Sequence, residues 1–432
     1  MLESYEIEGG IPLRGEYRVR GAKNSALPVL AATVCRGAVY EIYDCPKIGD
    51  VFAMEEILRS IGAKTKWERD CIIVDSRGIT KTTVPKELMA EMRSSVFLMG
   101  SLLARSGEAV IYRPGGCDIG KRPIDIHISG LEQLGFEVAV RDEEVSCWGR
   151  CRGGKVTLPY PSVGATENLM MAALAGDGDT IIENCAIEPE IEDLQGFLRT
   201  GGFQVYGAGT DTVFVKGAGG FSMCERPEEA MYFLLEDRIE AATYMAAVIG
   251  TGGRAVFRNI RAEYICEILK CFDKMGAAVR TYENTIEVWG CGSLRSPGMV
   301  ITQPYPGFPT DFQPQLLTLC TVARGLTTIR EEVFESRFTH KNDLLKMGAD
   351  IEICGKNAII KGIDSLCGAN VSAKDLRGGA ALALAGLMAE GRTVINDVFH
   401  IQRGYEDFEK GIKNLGGLIE KKREERKKEE KI

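Results

Sequence analysis

Cys117 lies in a glycine-rich loop between cationic side chains, directly before a predicted helix. The reactive form of cysteine is the thiolate, which nearby positive charge and the positive end of a helix dipole both favour. Arg113, Lys121 and Arg122 supply the charge, and Pro123 marks the start of the helix. The spacing predicts a chemically active thiol, although a glycine-rich loop taken alone favours an ordinary surface turn.

The rest of this segment is typical of an anion site. Glycines at 115, 116 and 120 let the loop bend tightly and bring backbone N–H groups close to a ligand. Residues 124–134 then carry apolar side chains at helical spacing, which predicts the helix.

A short phrase that ends in glycine recurs six times and indicates the elements that position this loop. Each copy reads as the end of an amphipathic helix with a left-handed glycine cap, followed by a strand. Before each copy, an almost wholly apolar helix closes on another glycine and leads into a β-rich run. We therefore predict six helix–strand–helix–strand units about 70 residues long, with their apolar helices in domain interiors. The capping glycines are Gly62, Gly135, Gly202, Gly276, Gly348 and Gly416, and the strand-opening glycines are Gly37, Gly107, Gly178, Gly253, Gly325 and Gly391.

The copy that holds Cys117 has the longest connection between its two glycines, Gly107 and Gly135. An insertion in one copy of a repeated scaffold indicates a loop that serves something other than the scaffold. This length favours the functional interpretation of Cys117 over the surface turn.

Composition narrows the class of protein. A chain of 432 residues that is 45% hydrophobic can bury large cores, and we expect two domains. The net charge of −8 argues against non-specific nucleic-acid binding. No apolar stretch is long enough to cross a bilayer and the N-terminus lacks an export signal, so we expect a cytoplasmic protein that does not bind membranes.

The cysteine and histidine pattern does not favour a metal or a disulfide framework. The 14 cysteines are scattered through apolar or strand-like segments, and no pair has the Cys-x-x-Cys spacing of a zinc site. Only three histidines are present, far apart in sequence. We expect reduced, mostly buried thiols and no structural metal.

With the thiol loop and the six-unit pattern established, the chain resembles the enolpyruvyl transferases, specifically the UDP-N-acetylglucosamine 1-carboxyvinyltransferase family. The resemblance runs from about residue 4 to about residue 419 and leaves out only the charged C-terminal segment. The motifs that carry it occur in the family's order at 21–28 (GAKNSALP), 114–120 (PGGCDIG), 122–127 (RPIDIH), 161–166 (PSVGAT), 308–311 (FPTD), 334–338 (FESRF), 375–377 (DLR) and 403–405 (RGY).

The resemblance implies an α/β fold of two inside-out α/β barrel domains, each built from three repeated βαβαββ-like units. Residues 23–235 would form domain one, which carries Cys117, and residues 236–420 would form domain two, which carries Asp311 and Arg403. Residues 1–22 would supply the first strand of the second domain, so that the chain crosses twice between domains whose cleft holds the active site. The charged residues 421–432 are expected to be a frayed tail.

The implied reaction transfers the enolpyruvyl group of phosphoenolpyruvate to the 3′-hydroxyl of UDP-N-acetylglucosamine and releases phosphate, the first committed step of peptidoglycan precursor synthesis. Cys117 matches the family's general acid, which can also add covalently to phosphoenolpyruvate, and Asp311 matches the base. The resemblance implies these two small substrates alone, with no cofactor, no metal and no protein partner.

Both substrates are polyanions, so the matching positions include several arginines, whose forked guanidinium groups suit carboxylate and phosphate. For phosphoenolpyruvate the matching or plausible positions are Lys23, Asn24, Arg122, Arg337, Arg377 and Arg403. For the nucleotide sugar they are Asn24, Arg93, Arg122, Pro123, Ile124, Asp125, Ile126, Tyr160, Ser162, Val163, Gly164, Asp311 and Val333.

Residue chemistry alone leaves plainer interpretations open. Asp311 follows a proline in a rigid turn where an aspartate often merely caps a helix. The run from Ser162 can face a diphosphate with free N–H groups, yet it also looks like an ordinary helix start. His127 is expected to be a hydrogen-bonded structural group.

Two alternatives to this function remain open. One is the related transferase that uses shikimate 3-phosphate, and the other is a silent paralogue that only binds nucleotide sugar. The chain has Tyr160 and Gly49 where some family members have lysine, which bears on substrate affinity.

Overall fold

A computed structural model describes residues 2–115, 120, 124–217 and 228–424. The predictions for Cys117, Arg122 and Pro123 fall outside these described residues.

Fourteen α-helices occur within the described residues. Within the described residues the α-helices are α1 (Lys23–Ala32), α2 (Gly49–Ile61), α3 (Lys86–Met89), α4 (Phe97–Ser106), α5 (Asp125–Gln133), α6 (Val163–Ala172), α7 (Pro189–Thr200), α8 (Arg238–Gly250), α9 (Cys266–Lys274), α10 (Gln313–Cys320), α11 (Lys341–Lys346), α12 (Leu376–Met388), α13 (Phe399–Gln402) and α14 (Phe408–Asn414).

Short strands alternate with these helices. Over the same residues they are β1 (Leu2–Glu8), β2 (Arg14–Arg18), β3 (Val39–Tyr43), β4 (Lys64–Glu68), β5 (Cys71–Asp75), β6 (Glu108–Tyr112), β7 (Phe136–Arg141), β8 (Glu144–Gly149), β9 (Gly154–Thr157), β10 (Thr180–Glu183), β11 (Val205–Tyr206), β12 (Thr212–Val215), β13 (Glu229–Phe233), β14 (Arg254–Arg258), β15 (Ala278–Tyr282), β16 (Thr285–Trp289), β17 (Met299–Ile301), β18 (Leu326–Arg330), β19 (Asp350–Cys354), β20 (Asn357–Lys361), β21 (Asn370–Ser372), β22 (Arg392–Asn396) and β23 (Leu418–Glu424).

The chain divides into two compact units. Unit one contains the described residues up to Arg20, Gly120 and the described residues from Glu236 onward. Unit two contains the described residues of 21–115 and 124–235.

Each unit holds three small sheets that share one strand pattern. In a four-stranded sheet, one inner strand has a parallel neighbour on one side and an antiparallel neighbour on the other. A fourth strand pairs antiparallel with that second neighbour, as in the order β9-β10-β12-β11. The sheets β13-β3-β5-β4, β2-β14-β16-β15, β17-β18-β20-β19 and β21-β22-β1-β23 repeat it. In the sheet β6-β8-β7 an isolated parallel bridge from Thr83 to Val110 takes the place of the fourth strand.

Strands from distant parts of the chain complete three of these sheets. The N-terminal β1 pairs with both β22 and β23 and so closes the last repeat of unit one. Strand β2 directly precedes α1 but pairs with β14, whereas β13 precedes α8 but pairs with β3. The chain thus passes from unit one to unit two after Arg20 and returns after Leu235.

The apolar helices predicted to be interior are buried almost completely. In unit one α8, α10 and α12 contact one another, and in unit two α4 contacts both α1 and α6. Twelve of the thirteen residues of α12 are buried, because a helix that is apolar on all sides has no face suited to water. The prediction of left-handed glycine caps is also confirmed, since all six capping glycines have positive φ, from 82° to 117°.

Two expectations about the chain ends differ from the structure. Residues 1–22, expected as one strand, form two strands in two different sheets, because the turn at Gly10 (φ +76°) separates them. The charged tail expected from residue 421 instead begins as the end of β23, where Lys421 pairs with Tyr5 of β1 in register and its amine contacts Glu3 at 2.8 Å. Residues 425–432 lie outside the described residues.

Candidate active site

Asp311 lies between two guanidinium groups in unit one. It sits in a short 3₁₀ turn, Thr310–Phe312, directly before α10. Arg337 donates to its Oδ1 at 2.6 Å and Arg377 donates to its Oδ2 at 3.2 Å. The carboxylate therefore faces two cations, which a helix cap would not require.

Arg377 is fixed at both ends. It stands in the first turn of α12, where the Asp375 carboxylate caps the helix by accepting from Arg377 N at 3.1 Å and Gly378 N at 2.8 Å. Its guanidinium also donates to Tyr405 Oη at 3.1 Å. Burial opposes the charge of Arg377, but Tyr405 and Asp311 outweigh burial and raise its pKa above the ordinary arginine value, so the side chain is a permanent cation.

Arg337 is nearly fully buried and packs over the ring of Phe334. Its Nε also donates to the Thr310 carbonyl at 3.3 Å. Glu331 joins this segment to the Asp311 turn, because its carboxylate accepts from Thr310 Oγ1 at 3.1 Å and from Val333 N at 2.9 Å. The predicted position Val333 thus lies on a loop that is anchored beside Asp311.

Two buried titratable side chains, Asp375 and His340, lie near these arginines. Burial would raise the pKa of Asp375, but the Thr339 hydroxyl that donates to it at 2.6 Å, with the Gly378 N–H, lowers that pKa below its usual value. Burial lowers the pKa of His340 to about 4, so its imidazole is neutral at physiological pH. Arg403 follows α13 and is half-buried.

In unit two, the predicted position Lys23 starts α1 and its amine contacts the Asp50 carboxylate at 2.9 Å. Asn24 follows it and is half-buried. Arg93 is also half-buried and begins a short 3₁₀ turn, Arg93–Val96.

A second predicted group lies where α5 and α6 pack together. His127 is buried, and Asn168 Nδ2 contacts its Nδ1 at 2.8 Å. The same amide nitrogen donates to the Val96 carbonyl at 3.0 Å. His127 is therefore a buried, hydrogen-bonded structural group, as expected from the sequence. A Cβ at Gly164 would come within 3.2 Å of the His127 ring, so a larger residue there would crowd the contact between the two helices.

The Ser162 hydroxyl accepts from Ala165 N at 3.4 Å and so caps α6, as at an ordinary helix start. The other predicted positions nearby lie at or close to the helix starts. Ile124, Ile126 and Val163 are half-buried against the core, while Asp125 and Tyr160 are exposed.

The structure brings Asp311, Arg337 and Arg377 into direct contact. Sequence reasoning missed the ion pair of Lys23 with Asp50, an aspartate in the first turn of α2. It gave Asp375 no role, although an aspartate directly before an apolar helix is a recognisable cap signal. It also missed Thr243 and Gln315, which no local pattern marks and whose side chains lie 2.9 Å and 3.3 Å from the Tyr405 hydroxyl.

Among the described residues no group of three or more His, Cys, Asp or Glu side chains could hold a metal ion. None of the described helices is both long and apolar enough to cross a membrane. The twelve cysteines that the structure describes are free thiols, and eight of them are buried.

Comparison with known proteins adds independent information. Residues 7–412 match the family described as EPSP synthase (3-phosphoshikimate 1-carboxyvinyltransferase). The chain is 44% identical to UDP-N-acetylglucosamine 1-carboxyvinyltransferase 2 of Caldanaerobacter subterraneus subsp. tengcongensis, over 97% of this chain and 99% of that protein. It is 41% identical to UDP-N-acetylglucosamine 1-carboxyvinyltransferase of Finegoldia magna over the same shares.

Solved structures show the same fold at lower identity. The enolpyruvyl transferase NikO of Streptomyces tendae superposes with a TM-score of 0.86 at 23% identity and covers 97% of this chain and 99% of its own. EPSP synthase of Acinetobacter baumannii superposes with a TM-score of 0.73 at 19% identity, over 98% of this chain and 100% of its own. These likenesses confirm the predicted enolpyruvyl transferase fold.

Proposed function

Since the chain belongs to the UDP-N-acetylglucosamine 1-carboxyvinyltransferases of the enolpyruvyl transferase family, we propose that it transfers the enolpyruvyl group of phosphoenolpyruvate to the 3′-hydroxyl of UDP-N-acetylglucosamine. The products are the enolpyruvyl ether of the nucleotide sugar and inorganic phosphate. The reaction supplies a precursor of peptidoglycan.

The transfer proceeds by addition and then elimination. In the addition, the sugar 3′-oxygen forms a bond to C2 of phosphoenolpyruvate, the hydroxyl loses its proton and C3 gains one. In the elimination, C3 gives up a proton and the bond from C2 to the phosphate oxygen breaks. Each step needs one group that takes a proton and one that delivers it.

The contact of Asp311 with Arg337 and Arg377 carries this proposal. Both carboxylate oxygens are held by guanidinium groups, at 2.6 Å and 3.2 Å. An arriving phosphate or carboxylate is a strong competitor for those guanidinium forks. Binding of phosphoenolpyruvate would draw Arg337 away from Oδ1 while Arg377 stays on Oδ2, and Oδ1 would then accept the proton of the 3′-hydroxyl.

The remaining roles follow the family's motifs. Cys117 delivers the proton to C3 and can add covalently to phosphoenolpyruvate. We assign phosphoenolpyruvate to Lys23, Asn24, Arg122, Arg337, Arg377 and Arg403, and the nucleotide sugar to Asn24, Arg93, 122–126, Tyr160, 162–164, Asp311 and Val333.

We infer a cytoplasmic location and no obligatory protein partner. Both substrates are highly charged small molecules, and an enzyme that joins them needs neither a membrane nor a second protein to recognise them.

The test is release of inorganic phosphate from phosphoenolpyruvate by the purified chain, measured with and without UDP-N-acetylglucosamine. We expect release that depends on the nucleotide sugar and that Cys117→Ser lowers strongly. Fosfomycin, an epoxide phosphonate that alkylates a reactive thiol, should inactivate the wild type and leave the residual activity of Cys117→Ser unchanged.

Shikimate 3-phosphate serves as the competing acceptor in the same assay. Phosphate release with shikimate 3-phosphate and none with the nucleotide sugar would overturn the proposal in favour of the other transferase. Tight binding of the nucleotide sugar, with no phosphate released from phosphoenolpyruvate in the presence of either acceptor, would indicate the silent paralogue.

A further inference from the structure

Three buried polar side chains lie behind the Arg377 guanidinium. Tyr405 stands three residues after α13, Thr243 lies on α8 and Gln315 lies on α10. Each is at most 2% exposed to solvent. We call these three residues the hydroxyl relay.

The hydrogen bonds of the hydroxyl relay leave little freedom of direction. Tyr405 Oη accepts from Arg377 Nη1 at 3.1 Å and from Gln315 Nε2 at 3.3 Å. A phenolic oxygen has two lone pairs, so these two donors occupy both. The phenolic hydrogen is then left to point at Thr243 Oγ1, which lies 2.9 Å away.

The Thr243 hydroxyl continues the same direction. Its oxygen receives the Tyr405 hydrogen and a second donation from Gln315 Nε2 at 3.1 Å. Its own hydrogen goes to the Ile239 carbonyl, one helical turn back on α8, at 2.8 Å. The sequence of donations runs from Arg377 through Tyr405 and Thr243 to the backbone of α8.

We propose that the hydroxyl relay is a positioning device for the enolpyruvyl transfer, in which Tyr405 fixes the plane of the Arg377 guanidinium so that its other nitrogen, Nη2, stays on Asp311. This inference rests on the proposed function for its catalytic consequence. Tyr405 acts through Arg377 and is therefore a positioning residue.

The reason is geometric. A guanidinium is planar, so an acceptor that fixes Nη1 also sets the direction of Nη2. Asp375 holds the backbone of Arg377 at the start of α12, but several side-chain bonds remain free to rotate between that backbone and the guanidinium. Without the Tyr405 hydroxyl, a buried donor on Arg377 would lose its acceptor, and the side chain would turn to find another.

Thr243 offers the sharpest test because the hydroxyl relay places it three hydrogen bonds away from Asp311. The experiment measures kcat, and KM for each substrate, for Thr243→Val, Thr243→Ser, Tyr405→Phe and the double variant Tyr405→Phe/Thr243→Val. Thr318→Val on α10 is the matched control, because the Thr318 hydroxyl is also buried but donates only to the Pro314 carbonyl of its own helix.

We expect kcat to fall about thirtyfold in Tyr405→Phe and about tenfold in Thr243→Val, with KM for UDP-N-acetylglucosamine within about twofold of wild type and KM for phosphoenolpyruvate raised, because Arg377 is also assigned to that substrate. Thr243→Ser and Thr318→Val should keep the wild-type kcat. The double variant should be no slower than Tyr405→Phe alone, because both changes break the same series of hydrogen bonds.

A wild-type kcat in Thr243→Val, a loss that Thr243→Ser does not restore, or effects that multiply in the double variant would each overturn the proposal. Crystal structures of the wild type and Tyr405→Phe provide a readout that needs no substrate. We expect Arg377 Nη2 to leave Asp311 in the variant, and an unchanged contact would contradict the positioning role. If the wild type releases no phosphate, the proposed function fails, and this crystallographic comparison still decides the positioning claim.

Discussion

In unit one the Asp311 carboxylate lies between the guanidinium groups of Arg337 and Arg377, whereas in unit two the Glu167 carboxyl lies near two further acidic side chains, Glu188 and Glu190. Neither oxygen of Glu167 has a hydrogen-bond partner among the described residues. Burial, and then repulsion from Glu190 and Glu188, raises the pKa of Glu167 well above its usual value.

The difference shows that one repeated scaffold can hold carboxyl groups in two opposite electrostatic environments. In unit one, arginines compensate the charge of Asp311, so that a reactive anion can be kept ready for substrate. In unit two, the protonated form of Glu167 is favoured, because an isolated charge in a buried interior is very unfavourable.

Removal of the charge at Asp311 should have the largest effect. Asp311→Asn keeps the shape of the side chain but cannot accept a proton, so we expect kcat to fall by about a thousandfold. The rate of phosphate release with both substrates saturating measures this. A fall of less than about tenfold would show that another group takes the proton.

Replacement of one cation should have the next largest effect. Arg377→Lys keeps the charge but loses the fork that contacts Tyr405 and Asp311 together, so we expect kcat to fall about a hundredfold. The exposed Arg254 on β14 gives the matched control, and Arg254→Lys should leave the rate unchanged. Equal activity in the two variants would mean that charge alone is needed at 377.

The third prediction concerns stability and follows from the raised pKa of Glu167. Its folded pKa is raised, so its contribution to stability is complete below the unfolded value of about 4.3 and is lost as pH rises toward the folded value. Urea unfolding from about pH 5 to about pH 8 should show a decline of up to about 1.4 kcal/mol per pH unit from this residue.

Glu167→Gln removes that decline, because glutamine fits the same space and does not titrate. Glu56→Gln, a change at an exposed glutamate of α2, is the control and should leave the pH dependence as it is in the wild type. The comparison of the two units fails if Glu167→Gln and Glu56→Gln give the same slope.

We expect the smallest effect from His340 in unit one, where the free energy of unfolding should rise with pH instead of falling. Burial lowers its pKa from 6.5 to about 4, so the unfolded chain takes up a proton below about pH 6.5 that the folded chain refuses. The free energy of unfolding should therefore fall as the pH is lowered from about 6.5 to about 4. His340→Gln should flatten this acid limb, and an unchanged limb would assign the acid sensitivity to other groups.

The sequence predicted the parts of the fold that have a local cause. Positive φ at Gly62 and its five counterparts follows from the absence of a Cβ, and the burial of α12 follows from apolar residues on all its faces. The exchange of β2 and β13 between sheets has no such local cause, because a strand looks the same whichever partner it takes.

The candidate site was predictable only in part. The family motifs contain Asp311, Arg337 and Arg377. Their contacts join positions 26 and 66 residues apart in sequence, so only the folded structure shows them. Thr243 and Tyr405 are 162 residues apart. A threonine on an apolar helix has no local feature that tells a hydrogen-bonding relay from ordinary packing.

A crystal structure with bound UDP-N-acetylglucosamine tests the central claim about Asp311 most directly. We predict that the sugar 3′-oxygen lies within hydrogen-bond distance of an Asp311 carboxylate oxygen, about 2.6 to 3.2 Å, while Arg337 and Arg377 stay beside that carboxylate. A bound sugar whose 3′-oxygen instead meets a different acidic side chain, with Asp311 still closed off by both arginines, would contradict the account.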